Sequence, residues 1–104
     1  MIKYYFLKKN EKIQKIKVQG HSLSASENTN NIVCASVSTA VIMTVNMIEI
    51  LGSKSKIDFV LKEGYFILKI LDFDVTVNKI LSNLEYTLED LSSNYSEYLK
   101  KINH

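Results

Sequence analysis

Residues 32–51 form an uninterrupted helical candidate of mostly apolar side chains, closed by Gly52, and no other stretch restricts the fold as much. Val33, Val37, Ala40, Val41, Ile48 and Leu51 recur at helical spacing on one stripe, and Ile42, Val45 and Met47 carry the apolar surface nearly all round. Such a helix has to be covered on several sides. A sheet covers one of them, so a second helix or a partner subunit must cover another. The run has the length of a bilayer crossing. Ser36, Ser38, Thr39, Thr44, Asn46 and Glu49 interrupt it, and no basic cluster flanks it. It is expected to be a core helix, with no membrane partner.

The flanks supply the sheet. Residues 2–7 and 13–18 are β-branched and aromatic around the turn Lys9-Asn10-Glu11, which reads as a hairpin. In the second run Ile16 and Val18 share one face while Lys15, Lys17 and Gln19 share the other. His21 has the parity of the polar face and is expected to emerge at the strand end. After the helix, Ile57, Phe59 and Leu61 alternate with Asp58 and Lys62, Glu63-Gly64 turns the chain, and residues 65–70 run back. From Asp74 the period is helical through Val77, Leu81, Leu84, Leu88, Leu91, Tyr95, Tyr98 and Ile102, with a Glu97–Lys101 pair one turn apart. The order ββαββα predicts an α+β class: a two-layer arrangement of a mostly antiparallel four-stranded sheet packed with two helices, one domain over residues 1–104.

Thirteen basic against eleven acidic residues leave a net charge of +2, too little field to point at nucleic acid, and none is expected as a partner. One cysteine excludes an intrachain disulfide, and no secretory h-region stands at the N-terminus, so a reducing cytoplasm is expected. One cysteine and one non-terminal histidine fall short of a zinc ligand set. With no phosphate loop or dinucleotide fingerprint, no metal and no cofactor is expected.

The chemistry-bearing stretch is residues 31–38, NIVCASVS. Asn30 or Asn31 is a candidate N-cap, which puts Cys34 in the first helical turn, where unpaired N–H groups and the helix dipole favour a thiolate. Backbone N–H groups there could also form an oxyanion hole. Ser38 lies one turn further on the same face. Residues 22–30 form a loop rich in Ser and Asn between His21 and the helix. Read alone, each residue has a plainer role: Cys34 as a small buried hydrophobe, His21 as a strand-end residue, Ser38 as a serine bonding back to a carbonyl.

Gly20-His21, a polar loop and NIVCASVS together resemble the GH…DIVCAxxS signature of the ribosomal-processing cysteine proteases of bacteria. These are small homodimers that trim the N-terminal extension of large-subunit ribosomal protein 27. The resemblance implies Cys34 as nucleophile, His21 as general base, and Gly20, Asn31 and Ser38 as supporting residues. It implies a ribosomal-protein precursor as partner and a second copy of the chain as another. Asn31 stands where the family usually has Asp, and the loop lacks the family's glycine and is about one residue longer. Two other readings stay open on the sequence: a non-catalytic protein that holds the extension without cutting it, and a redox-responsive thiol protein.

Overall fold

The computed structural model describes residues 1–20 and 28–103, with side chains from residue 31 onward in the first helix. β1 (Ile2–Lys9) and β2 (Lys12–Gln19) form the first hairpin. Asn10 and Glu11 at its turn both have positive φ, 52° and 64°, as a two-residue turn matched to strand twist demands. β3 (Ile57–Lys62) and β4 (Tyr65–Ile70) form the second around Gly64, φ +72°. The helices are α1 (Asn28–Ile50) and α2 (Val75–Asn94). The α+β class is as expected, and the sheet is larger than expected.

β5 (Leu99–Lys101) lies parallel to β1, giving a five-stranded mixed sheet in the order β3-β4-β2-β1-β5. The sequence reading carried the second helix through these residues; α2 stops at Asn94 instead. Ser92, Ser93 and Asn94 favour backbone-bonding ends over helix interior. β1 would otherwise leave an edge of unpaired groups, which the next residues satisfy: the Ile2 amide donates to the Tyr98 carbonyl and the Ile102 amide to the Tyr4 carbonyl, both at 2.8 Å. The Glu97–Lys101 pair does not form, because Lys101 now lies in a strand and reaches Glu85 and Glu89 on α2, each at 3.0 Å.

One face of the sheet carries the core. Tyr4, Ile16, Val18, Phe66 and Leu68 point inward, and Val33, Val37, Val41, Val45 and Ile48 of α1 and Leu81, Leu84 and Leu88 of α2 are buried with them. α1 has the length and hydropathy of a membrane span, yet this stripe is committed to the sheet and α2. Leu51, expected in the stripe, is 51 % exposed, because α1 has already ended. Its end is a Schellman closure: the Gly52 amide donates to the Glu49 carbonyl (2.9 Å) and the Ser53 amide to the Ile48 carbonyl (3.0 Å), with Gly52 at φ +75°. α2 starts on Asp74, whose carboxylate accepts from the Val77 amide at 3.0 Å. Asn78 in its first turn accepts from the Ile13 amide at 2.9 Å, tying α2 to the bulged end of the first hairpin.

Candidate active site

Cys34 is the seventh residue of α1, half-buried against the core and in no disulfide. The helix begins at Asn28, ahead of both expected caps, Asn30 and Asn31, and no Gly or Pro interrupts Asn28-Thr29-Asn30. Asn31 is therefore inside the first turn, exposed, and does not cap the helix. Two expectations change with it. The amide of Cys34 is past the four N-terminal N–H groups that lack helical partners, so it is committed to the helix and does not serve an oxyanion hole. The dipole also acts on Cys34 from the second turn, beyond the range where it is strongest.

Beside the thiol lies a cavity of about 210 Å³. α1 contributes Cys34, Ala35, Val37, Ser38 and Val41 to its wall, the sheet contributes Ile2, Val18 and Phe66, and the β3–β4 turn supplies the rim from Leu61 to Tyr65. The interior is mostly aliphatic, while the rim carries Lys62, Glu63 and peptide groups. That combination has room for an apolar side chain next to the sulfur, with polar groups at the mouth.

Gly20 closes the same cavity. Its φ is +118°, and a Cβ there would collide with the Met1 carbonyl oxygen. Only glycine fits both the backbone conformation and the close approach. Its amide donates to the Gly64 carbonyl at 2.9 Å, which fastens the end of β2 to the β3–β4 turn. The chain thus leaves β2 at the cavity, with His21 the next residue in sequence. His21 and the loop after it lie outside the described residues, as does His104.

Of the residues singled out in the sequence, Gly20, Cys34 and Ser38 meet at one cavity, and Ser38 is exposed on it one turn beyond Cys34. Asn31 does not line it. In the sequence, Glu63-Gly64 signals a turn and nothing more. Its role at the site depends on β2 pairing with β4 across more than forty residues, for which the sequence carries no local signal. A larger groove of about 770 Å³ runs between α1 and α2 and contains neither Cys34 nor Gly20. Among the described residues no cluster of His, Cys, Asp and Glu could hold a metal ion.

Comparisons with known proteins add a family to this geometry. A sequence model of the family described as cysteine protease Prp matches residues 1–100. The fold is similar to that of the ribosomal processing protease Prp from S. aureus solved with a substrate peptide, at 23 % identity, 98 % coverage of both chains and a TM-score of 0.83. The same protease with a covalently linked product peptide matches at 24 % identity, 97 % coverage of both chains and a TM-score of 0.81. SMU.848 from Streptococcus mutans matches at 22 % identity over 97 % of this chain and 91 % of its own, with a TM-score of 0.77. Among curated proteins none matches this sequence.

Proposed function

The chain belongs to the cysteine protease Prp family, and from that premise we propose that it removes the N-terminal extension of large-subunit ribosomal protein 27, with Cys34 as nucleophile and His21 as general base. The observation that carries the reading is the placing of Cys34, the chain's only thiol, at a cavity that Gly20, the residue before His21, also lines. The Cys34 thiol gives its proton to the His21 imidazole as the sulfur attacks the scissile carbonyl. The imidazolium then protonates the leaving amine, and a water deprotonated by His21 hydrolyses the thioester. The aliphatic cavity holds the extension while the bond is cut, and Ser38 and Gly20 shape its two sides. Asn31 supports the start of α1, where it offers an amide in place of the family's carboxylate.

The reading includes a cytoplasmic homodimer. Met43, Met47 and Ile50 leave an exposed apolar strip on α1, continuous with the groove toward α2. A second copy laid there supplies the cover that an apolar helix needs. Sedimentation equilibrium at micromolar concentration should give twice 11.9 kDa, and a single-chain mass would remove the dimer from the proposal.

Incubation of the ribosomal-protein precursor with the wild type, Cys34→Ala and His21→Ala tests the chemistry. Cleavage by the wild type alone is expected. A Cys34→Ala protein that cuts at the wild-type rate overturns the nucleophile assignment, and an unaltered His21→Ala rate overturns the base. Binding of the extension by the wild type without turnover would leave a holding protein in place of a protease acting on that substrate.

A further inference from the structure

The face of the sheet turned away from the helices has no element packed on it among the described residues. Alternation sends every second strand residue to this side. Before the bulge that separates Leu7 from Lys8, the outward positions carry six lysines, Lys3, Lys15, Lys17, Lys62, Lys69 and Lys100, against one carboxylate, Asp58. Nearly half of the chain's thirteen cationic side chains are gathered here. Most carboxylates lie elsewhere, Glu49 on α1 and Glu85, Glu89 and Asp90 on α2 among them. The modest net charge thus conceals a strongly one-sided distribution.

The lysines are also arranged against the sheet's own stability. Lys15 stands directly across from Lys69, and Lys3 across from Lys100, and like charges in facing positions destabilise a sheet; of these four only Lys69 also faces a carboxylate, Asp58 on β3. No ion pair among the described residues involves any of the six. Tyr5 and Tyr65 lie between them on the same face, with the Lys17 ammonium 5.7 Å from the Tyr65 ring centre. Strand geometry spreads these groups on a grid of roughly 5 by 7 Å. A grid of that extent suits a chain of many anionic groups, and aromatic rings set among cations suit the unstacked bases of a single strand.

We infer that this open sheet face docks single-stranded RNA, its phosphates on the lysines and its bases beside Tyr65. The choice of RNA among nucleic acids rests on the proposed ribosomal-protein substrate. The face runs to the rim of the cavity through Lys62 and Tyr65. RNA held on the sheet therefore lies beside the site that takes the peptide.

Fluorescence anisotropy of a labelled twenty-nucleotide oligouridine, titrated with the wild type and with Lys15→Gln/Lys17→Gln/Lys69→Gln, tests the inference. None of these three lysines lines the cavity. With three to four phosphates neutralised, wild-type affinity should fall roughly 20- to 50-fold between 50 and 200 mM salt. The triple variant should bind at least about tenfold more weakly at 50 mM salt, since most of those contacts are gone. It should cut free substrate peptide at the wild-type rate and melt no lower than the wild type, because the facing charges are relieved. Lys54→Gln/Lys79→Gln, away from this face, should bind as the wild type does. No wild-type binding at 50 mM salt, or equal binding by the triple variant, overturns the RNA surface and leaves the protease reading untouched. Equally tight binding of polyglutamate or phosphatidylglycerol vesicles also overturns it, in favour of an acidic protein or a lipid surface.

Discussion

The two ends of β1 are built on opposite principles. At its start, Met1 and Ile2 run close against Gly20, whose amide donates to the Gly64 carbonyl, and a cavity stays open beside Cys34. Toward its other end, Lys8 reaches the Glu85 carboxylate at 2.7 Å, and Lys101 holds the same carboxylate and Glu89 at 3.0 Å each. Glu85 is 6 % exposed, so that end is closed by charge. The first end fixes peptide groups and leaves a side-chain space unfilled. The second fills its space and joins α2 to both neighbouring strands. Substitutions at the open end should therefore act on turnover first, and those at the closed end on stability first.

Cys34→Ala gives the sharpest separation. On the proposed mechanism, loss of the thiol should lower precursor cleavage on the order of 10⁴-fold or more, while removal of a half-buried sulfur should change stability by no more than about 1 kcal/mol. Cleavage rate and a urea melt on the same preparation check both halves. Gly20→Ala should breach the division. Its Cβ meets the Met1 carbonyl in a backbone conformation that disfavours alanine, for a cost of about 2–3 kcal/mol. Cleavage should fall with it, because the exit of β2 toward His21 shifts. An alanine variant with wild-type stability and rate would mean that the backbone here is not held.

At the closed end, Glu85→Ala leaves two ammonium groups without their shared partner. Both lysines are 42 % exposed at the side chain and can turn to water, so the loss should be about 1–3 kcal/mol, less than for a fully buried pair. Cleavage of free peptide should hold. Burial pushes the Glu85 carboxyl up, but hydrogen bonds and charge from Lys8 and Lys101 outweigh it and leave its pKa below the ordinary 4.5. A lowered folded value means that the unfolded chain binds the proton more readily. The contribution to stability is thus complete above about pH 4.5 and is lost as pH falls through the folded value. Thermal melts from pH 6 to 3 should show this decline in the wild type and a shallower one in Glu85→Gln.

The same contrast explains what could be read in advance. Both hairpins and both helices were legible because each rests on local signals: period-two alternation, helical spacing, a glycine turn. The grouping of Gly20, Cys34 and Ser38 was implied by the family resemblance alone, since no local signal joins the end of β2 to α1. β5 was not legible. Leu99 and Ile102 continue the spacing of α2, and only the unpaired edge of β1, about a hundred residues away in sequence, draws them into a strand. Lys101 followed the same error, expected beside Glu97 and found with Glu85 and Glu89. At the cavity, the β3–β4 turn was missed because it arrives through a long-range pairing of β2 with β4. The early start of α1 was hidden by three polar residues that serve equally in a loop or a first turn.

Tyr4 carries the smallest expected effect and tests whether the closed end is complete. Its ring is 1 % exposed and packs edge-on against Phe6, with centroids 6.1 Å apart. Its hydroxyl lies beside the Ser92 side chain but makes no well-aligned hydrogen bond among the described residues. The neighbouring Ser92 hydroxyl donates to the Leu99 carbonyl at 2.9 Å instead. Burial pushes the phenol pKa up, and the charges of Glu89 and Glu85 add to that, with Lys101 and the adjacent Ser92 hydroxyl opposing. The ring is therefore kept neutral and serves as packing. Tyr4→Phe removes an unsatisfied polar atom and retains that packing, so stability should stay level or rise by up to about 1 kcal/mol. A urea melt that instead falls by more than about 1 kcal/mol would show that the hydroxyl is bonded in solution, and that the closed end extends one residue further into β1 than the charges alone define.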